Sequence, residues 1–324
     1  MSVTNRPFRF SCQAYRSTSA REWRELARKI EDLGYASLQV PDHYIGPGPA
    51  LGPTGHSAQV LAAVPALAMA AEATSTLHVG TRVMCTGYRN PVVLAKEAAT
   101  LQLLSEGRFQ LGLGAGWLAA EYAAMGIAFP PARERIGLLA ETLDLVRQSF
   151  AGGPVDVRGT YVDVTGFSAV PVADPPPPVM VGGGSRRVLE LAGARADIVS
   201  VNFSNASGVL GPEALASSTP ERTRRKIDWV RAGAGERFDD LEIEIGVYFA
   251  AVDSGTGGGA GQLSARTGLD DEQLSAFPHA LVGSADTICE ELERRRAEYG
   301  FSHITVGEAV VDDFAPVVAR LSGR

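Results

Sequence analysis

Three cysteines in 324 residues, at positions 12, 85 and 289, are too few and too scattered for a disulfide framework. Their odd number fits a reducing compartment, and their spacing offers no zinc site. Positive charge is also short: 30 Lys and Arg stand against 37 Asp and Glu. The resulting charge of −7, with no basic stripe, argues against a nucleic-acid partner. Long apolar runs are missing as well. The opening MSVTNRPFRFSC lacks the apolar segment of a secretory signal. Residues 44–71 carry no charge apart from His56, but Gly and Pro break their first half. The apolar part, Ala58 to Ala71, is too short to span a bilayer and contains Pro65. These absences predict a soluble, cytoplasmic protein with no membrane partner.

What is present is an ordinary globular composition, 45% hydrophobic and 21% charged. The length suits one barrel domain spanning residues 1–324. The first unit reads clearly. Residues 8–12 (FRFSC) form a short strand, and Ser19 with Glu22 opens a helix as a capping box. Trp23, Leu26, Ala27, Ile30 and Leu33 follow at helical spacing, Gly34 stops the helix, and a strand runs over 36–40.

The pattern repeats. Helices are expected at 58–74, 91–105, 133–150, 185–192, 219–233, 284–299 and 312–321. Strands are expected at 77–84, 108–113, 179–181, 197–201, 241–252 and 302–306, and a hairpin at 155–164. Eight strands alternating with eight helices, the hairpin aside, indicate an α/β fold, the (β/α)8 barrel, with chemistry at the C-terminal strand ends. Two stretches rich in Gly and Ser, 203–218 and 254–268, read as mobile insertions on that face.

Several motifs stand at such ends. Asp42 and His43 close the strand LQVPDHY (38–44). The residues alone allow a turn acid with a surface imidazole, or a proton relay. A metal site is disfavoured, because His56, His78, His279 and His303 form no ligand-spaced motif. Gly182–Gly184 and Ser185 lie between a strand and a helix, where free N–H groups could cradle a phosphate, aided by Arg186 or Arg187. A tight βα turn explains them equally. GLGAGW (112–117) is no dinucleotide fingerprint, since the acidic residue about 20 positions on is absent.

Taken in order, VPDHY (40–44), HVGTRV (78–83), the run from Arg89 to Trp117 containing LSEGRFQLGLGAGW, EYAAMGI (121–127), RER (133–135) and VGGGSRR (181–187) resemble one family. It is the luciferase-like flavin and deazaflavin oxidoreductases, especially the branch using coenzyme F420. The resemblance covers most of residues 8–201 and implies a (β/α)8 barrel, a homodimer, and a cofactor held at the C-terminal mouth.

It further implies that Asp42 contacts the polar edge of the ring, and that His43 moves a proton while hydride passes between F420 and a small organic substrate. Imidazole suits that task because its unperturbed pKa lies near operating pH. Arg82–Val83 is the position of a non-prolyl cis peptide under the ring. Gly182, Gly183, Gly184 and Ser185 hold the phosphate, Ala115 and Gly116 bind the cofactor, and the glycines of GLGAGW keep the mouth open below the ring. Trp117 stands near the ring or packs in the core, and Glu121 bonds the cofactor or caps the next segment. An FMN-dependent monooxygenase is the alternative, since a histidine occurs at a comparable place there. Sugar-phosphate dehydrogenases of the family carry glutamate where Trp117 stands and asparagine where Ala120 stands, so their activity does not transfer. Loops 44–57, 203–218 and 254–280 carry few charges near Asp42, which favours an apolar or neutral substrate.

Overall fold

The computed structural model describes residues 6–324 apart from 206–207, 210 and 254–258. Eight parallel strands form its centre: β1 (Arg9–Gln13), β2 (Ser37–Val40), β3 (His78–Thr81, resumed at Met84–Cys85), β4 (Phe109–Gly114), β5 (Val179–Gly183), β6 (Ile198–Val201), β7 (Glu242–Val247) and β8 (Phe301–Gly307). Hydrogen-bonded neighbours run β3, β2, β1, β8, β7, β6, β5, β4, and β3 pairs with β4 to close the sheet. This is the (β/α)8 barrel.

Each strand is followed by an outer helix: α1 (Ala20–Asp32), α2 (Ala63–Ala73), α3 (Pro91–Leu104), α4 (Ala132–Ala151), α5 (Arg186–Arg195), α6 (Pro220–Ala234), α7 (Ala285–Tyr299) and α8 (Val311–Leu321). The start of α1 shows the local logic. Ser19 accepts the Glu22 N–H at 3.2 Å, while the Glu22 carboxylate turns to the N–H and hydroxyl of Thr18 instead of closing the box. Trp23, Ala27 and Ile30 are buried on one face, and Gly34 ends the turn at φ +79°.

Strand alternation splits the side chains. Phe10, Leu38, Val79, Leu111 and Ile304 join the buried layer beneath the helices. Their neighbours build a polar bore, where the Ser11 hydroxyl bonds both Ser37 (2.5 Å) and His303 Nε2 (2.6 Å), and Thr305 donates to Gln39 (3.1 Å). Burial of these hydroxyls is tolerable because each has a partner.

Four differences from expectation are instructive. The helix expected at 58–74 starts only at Ala63, because 58–62 are spent anchoring the loop before it. The strand expected over 241–252 breaks at Tyr248. Its second half, Phe249–Val252, leaves the barrel to pair with Ala280–Gly283, a strand the sequence reading missed. The insertion expected to be mobile at 254–268 contains a helix, Gly259–Thr267, and 203–218 contains another, Pro212–Ala216. Residues 206–207, 210 and 254–258 of those insertions lie outside the described residues. These helices pack on a second apolar cluster, in which Leu263, Phe203, Ala214, Leu274 and Phe277 are buried together. The hairpin is present as Pro154–Arg158 and Asp163–Ser168.

Among the described residues no helix is long and apolar enough to cross a membrane.

Candidate active site

A cavity of about 810 Å³ opens at the C-terminal ends of the strands. That lies within the range of small-molecule and cofactor pockets. Its floor is the irregular end of β3, where the Arg82–Val83 peptide is cis, as the resemblance implied. Val83 rises there against glycines from two neighbouring strands. A Cβ on Gly114 would meet Val83 Cγ2 at 2.7 Å, and one on Gly182 would meet Val83 Cγ1 at 3.1 Å. A Cβ on Gly112 would meet the Thr81 carbonyl oxygen at 2.0 Å. These glycines are therefore needed to seat the floor rather than only to clear the mouth. Gly116 is constrained too, with φ at +75° and Tyr122 and Cys85 filling the space a side chain would need.

The Arg82 side chain is held at the cavity floor, where its terminal nitrogens donate to the Tyr248 hydroxyl at 3.3 Å. It donates to Glu244 (2.9 Å) and Gln13 (2.8 Å), and its guanidinium is paired and buried. Arg82 and Val83 meet the cavity at this bulge, while the Arg82 charge is already used.

At the end of β2 the paired acid and imidazole separate into two networks. Asp42 is buried, and both of its carboxylate oxygens are taken. Arg89 binds them at 2.5 and 2.8 Å, and the Cys85 N–H donates at 3.0 Å. Asp42 thus ties the β2 end to the floor of the cavity. His43 points elsewhere. Its Nδ1 lies 2.7 Å from Glu121 Oε2, and its other ring nitrogen has no hydrogen-bond partner among the described residues.

Glu121 is fully buried and accepts more than this one bond. Tyr88 donates its hydroxyl at 2.8 Å, Ile45 its N–H at 3.0 Å, and Tyr44 its N–H as well. Burial by itself raises a carboxyl pKa. Here the His43 hydrogen bond and charge, with the Tyr44 and Tyr88 donors, outweigh it and hold Glu121 below the usual carboxylate range. An ionised carboxylate can only accept, so His43 carries its proton on Nδ1 and leaves Nε2 as a lone pair when neutral. Glu121 therefore neither caps its helix, Ala119–Ala124, nor faces the cavity; it orients His43.

Sequence reasoning missed His56. Its ring centre lies 4.1 Å from that of His43, and Trp117 stands 6.0 Å from His43 and 5.9 Å from His56. Trp117 lines the cavity half-buried, beside Ala115 and Gly116. No local pattern marks His56, because its loop joins the site only through tertiary contact. Cys85 lines the floor, but burial pushes its thiol up to about 11, so it is a neutral packing group.

Opposite His43, Gly182, Gly183, Gly184 and Ser185 line the cavity where β5 turns into α5. Ser185 is exposed and is the N-cap of α5, yet its hydroxyl makes no capping bond. The first N–H groups of α5 are thus presented with a free hydroxyl beside them. The glycines also have a packing reason, since a Cβ on Gly184 would meet the Phe203 carbonyl oxygen at 2.2 Å. Arg186 pairs with Glu190 at 2.7 Å, and neither Arg186 nor Arg187 lines the cavity. Three other arginines, Arg16, Arg82 and Arg135, do line it; Arg16 and Arg82 have carboxylate partners in Glu308 and Glu244, which leaves Arg135. It lies over the Phe129 ring at 3.9 Å, donates to the Gly116 carbonyl at 3.3 Å, and has no carboxylate partner among the described residues.

Among the described residues no three His, Cys, Asp or Glu are grouped to hold a metal ion.

Residues 3–256 match the family described as luciferase-like monooxygenase. The chain belongs to that family. Among curated luciferase-like relatives, an F420-dependent glucose-6-phosphate dehydrogenase of Kribbella flavida is 33% identical over 231 residues, covering 69% of this chain and 64% of the relative. The same-named protein of Amycolatopsis mediterranei is 33% identical over 174 residues, covering 53% and 50%. The chain thus spans half to under two thirds of the length of these relatives. An F420-dependent secondary alcohol dehydrogenase, solved with an F420-acetone adduct, superposes with a TM-score of 0.76 at 19% identity, covering 96% of this chain and 98% of that one. At that identity the likeness speaks for the luciferase-like fold alone.

Proposed function

We propose that this protein is an F420-dependent oxidoreductase that interconverts a neutral alcohol and its carbonyl compound, with His43 as the proton shuttle. The observation that carries the reading is His43 itself: Nδ1 is fixed on the buried Glu121 carboxylate, and the remaining ring nitrogen is left without a partner at the cavity wall.

The cavity suits a deazaflavin with an anionic tail. Val83 and its glycine seats supply a close apolar floor, with Ala115 and Gly116 beside it. The N–H groups and Ser185 hydroxyl at the start of α5 suit a phosphate. Arg135 offers a cation not neutralised by an acid. When bound, coenzyme F420 supplies a hydride acceptor or donor at C5 of its ring.

The rest falls to the chain. In the oxidising direction, His43 Nε2 accepts the hydroxyl proton of the substrate as the carbinol C–H bond gives up its electron pair. The imidazolium so formed is stabilised by Glu121, whose second oxygen holds the backbone of the same loop. In the reducing direction His43 returns that proton. Asp42 acts by holding Arg89 and the Cys85 amide in place, and it makes no proton transfer.

Neutrality of the substrate follows from the charges. Arg16 lies 3.9 Å from Glu308, and Arg82 is bound to Glu244. With Arg135 assigned to the cofactor, no further unpaired arginine among the described residues lines the cavity to receive a sugar phosphate, and Trp117 stands where the resemblance puts an acid in the sugar-phosphate enzymes. Fluorescence titration with F420 and with FMN tests the reading. Saturable F420 binding with weaker FMN binding supports it, and tight FMN binding with no F420 affinity overturns it.

A further inference from the structure

His43 is one of two imidazoles in the same corner of the cavity. We propose that His56 is a second substrate-facing acceptor, and that the substrate carries a second hydrogen-bond donor next to its carbinol, as in a neutral vicinal diol. This rests on the alcohol–carbonyl reading above.

Three observations carry it. First, His56 has a fixed proton. Its Nδ1 lies 2.7 Å from the Ser57 carbonyl oxygen, which can only accept, so Nδ1 bears the hydrogen and Nε2 the lone pair. Burial, and then the neighbouring His43, push its imidazolium pKa down to about 4, outweighing the Ser57 carbonyl and Glu121, so the ring is a neutral acceptor at neutral pH. Second, its position is built. The His56 N–H donates to the Thr54 hydroxyl at 3.0 Å, and that hydroxyl donates to the Leu51 carbonyl at 2.6 Å. On the other side Gln59 accepts the His43 N–H at 3.2 Å and donates to the Pro41 carbonyl at 2.7 Å, which ties the loop to the strand end that carries the shuttle. Third, both rings line the cavity beside Trp117, and neither Nε2 has a partner among the described residues. Two unpartnered lone pairs on rings whose centres lie 4.1 Å apart match two donors on one ligand better than one.

The two acceptors differ in duty. His43 has Glu121 behind it and can hold a proton. His56 has only a carbonyl behind it and stays neutral, so it positions the second hydroxyl without removing its proton.

The test uses the intact protein with and without coenzyme F420, and two probes of matched ring size, cis-1,2-cyclohexanediol and cyclohexanol. Histidine ring resonances are assigned with His43→Gln and His56→Phe and followed by NMR during titration, and deazaflavin bleaching is recorded in parallel. The diol is expected to shift both rings and cyclohexanol only His43. His56→Phe should weaken the diol about tenfold, the equivalent of one hydrogen bond, and leave cyclohexanol unchanged, with partial rescue by His56→Gln. Equal binding of the two probes, or equal loss of both in His56→Phe, overturns the proposal. A diol that shifts His56 without bleaching by either probe supports the acceptor role and refutes the hydride-transfer reading. Bleaching without diol preference does the reverse.

Discussion

Replacing Glu121 by glutamine tests the coupling on which the His43 assignment depends. The substitution keeps the shape and one acceptor. Oε1 serves the two backbone N–H groups of Tyr44 and Ile45, so the new amide oxygen remains there and the NH2 faces His43 and Tyr88. An amide NH2 donates, which forces His43 Nδ1 to accept and moves its proton to Nε2. The ring then presents a donor where the substrate hydroxyl needs an acceptor. The imidazolium also loses its counter-charge. Two unit charges about 4 Å apart at an effective dielectric near 20 interact by about 4 kcal/mol, and the side-chain exposures of 0% and 13% make that value apt here. Such a loss in the transition state is close to three decades of rate, inside the range for general acid–base catalysis. Steady-state deazaflavin reduction with an alcohol should therefore show kcat down about 10³-fold in Glu121→Gln, with F420 affinity unchanged and a native circular dichroism spectrum. A kcat within threefold of the parent in a folded variant would refute the role given to Glu121.

Other expectations follow from the same geometry. Asp42→Asn leaves Arg89 with Glu97, at 3.5 Å, as its remaining carboxylate and puts a neutral amide where the wholly buried acid stood, so urea unfolding should show a loss of about 2 kcal/mol; a loss under 1 would mean the pair is dispensable. In Gly112→Ala the new methyl meets the Thr81 carbonyl oxygen, and thermal melts should show loss of folding or at least about 2 kcal/mol of stability. Burial would raise the Glu31 carboxyl, but the N–H groups of Thr76, Leu77 and Ser75 and the Thr76 hydroxyl bring it down to about 2. A carboxylate depressed in the folded state contributes stability above its unfolded pKa, near 4.5, and loses it as pH falls toward 2. Glu31→Gln should therefore cost about 1 kcal/mol at pH 7, the worth of one exposed charged acceptor, with the gap narrowing from pH 4.5 downward; a gap independent of pH would contradict this.

Much of the fold was legible because its signals are local. Ser19, the helical spacing of Trp23, Ala27 and Ile30, and the stop at Gly34 lie within one unit of chain. The turn at Tyr248 was not legible. Residues 241–252, LEIEIGVYFAAV, hold no Pro, Asn or Asp to break one strand, and what divides them is a partner strand about 30 residues later. At the site, family words marked His43, the cis peptide and the β5 turn. They did not reveal that Asp42 would be consumed by Arg89, or that Glu121 would reach back 78 residues to His43, because both depend on which side chains the closed barrel brings together. The glycines of GLGAGW were read as clearance for a ligand, whereas Gly112 and Gly114 first make room for Thr81 and Val83. His56 was weighed only as a metal ligand and set aside, and its meeting with His43 rests on Thr54 and Gln59 closing a loop of more than ten residues.

The most direct test of the central claim is a single-turnover experiment on the F420-loaded protein mixed with a neutral secondary alcohol, parent against His43→Gln. The account predicts bleaching of the deazaflavin band in the parent and at least a hundredfold slower bleaching in the variant, at unchanged cofactor affinity. Bleaching at the same rate in both would contradict it.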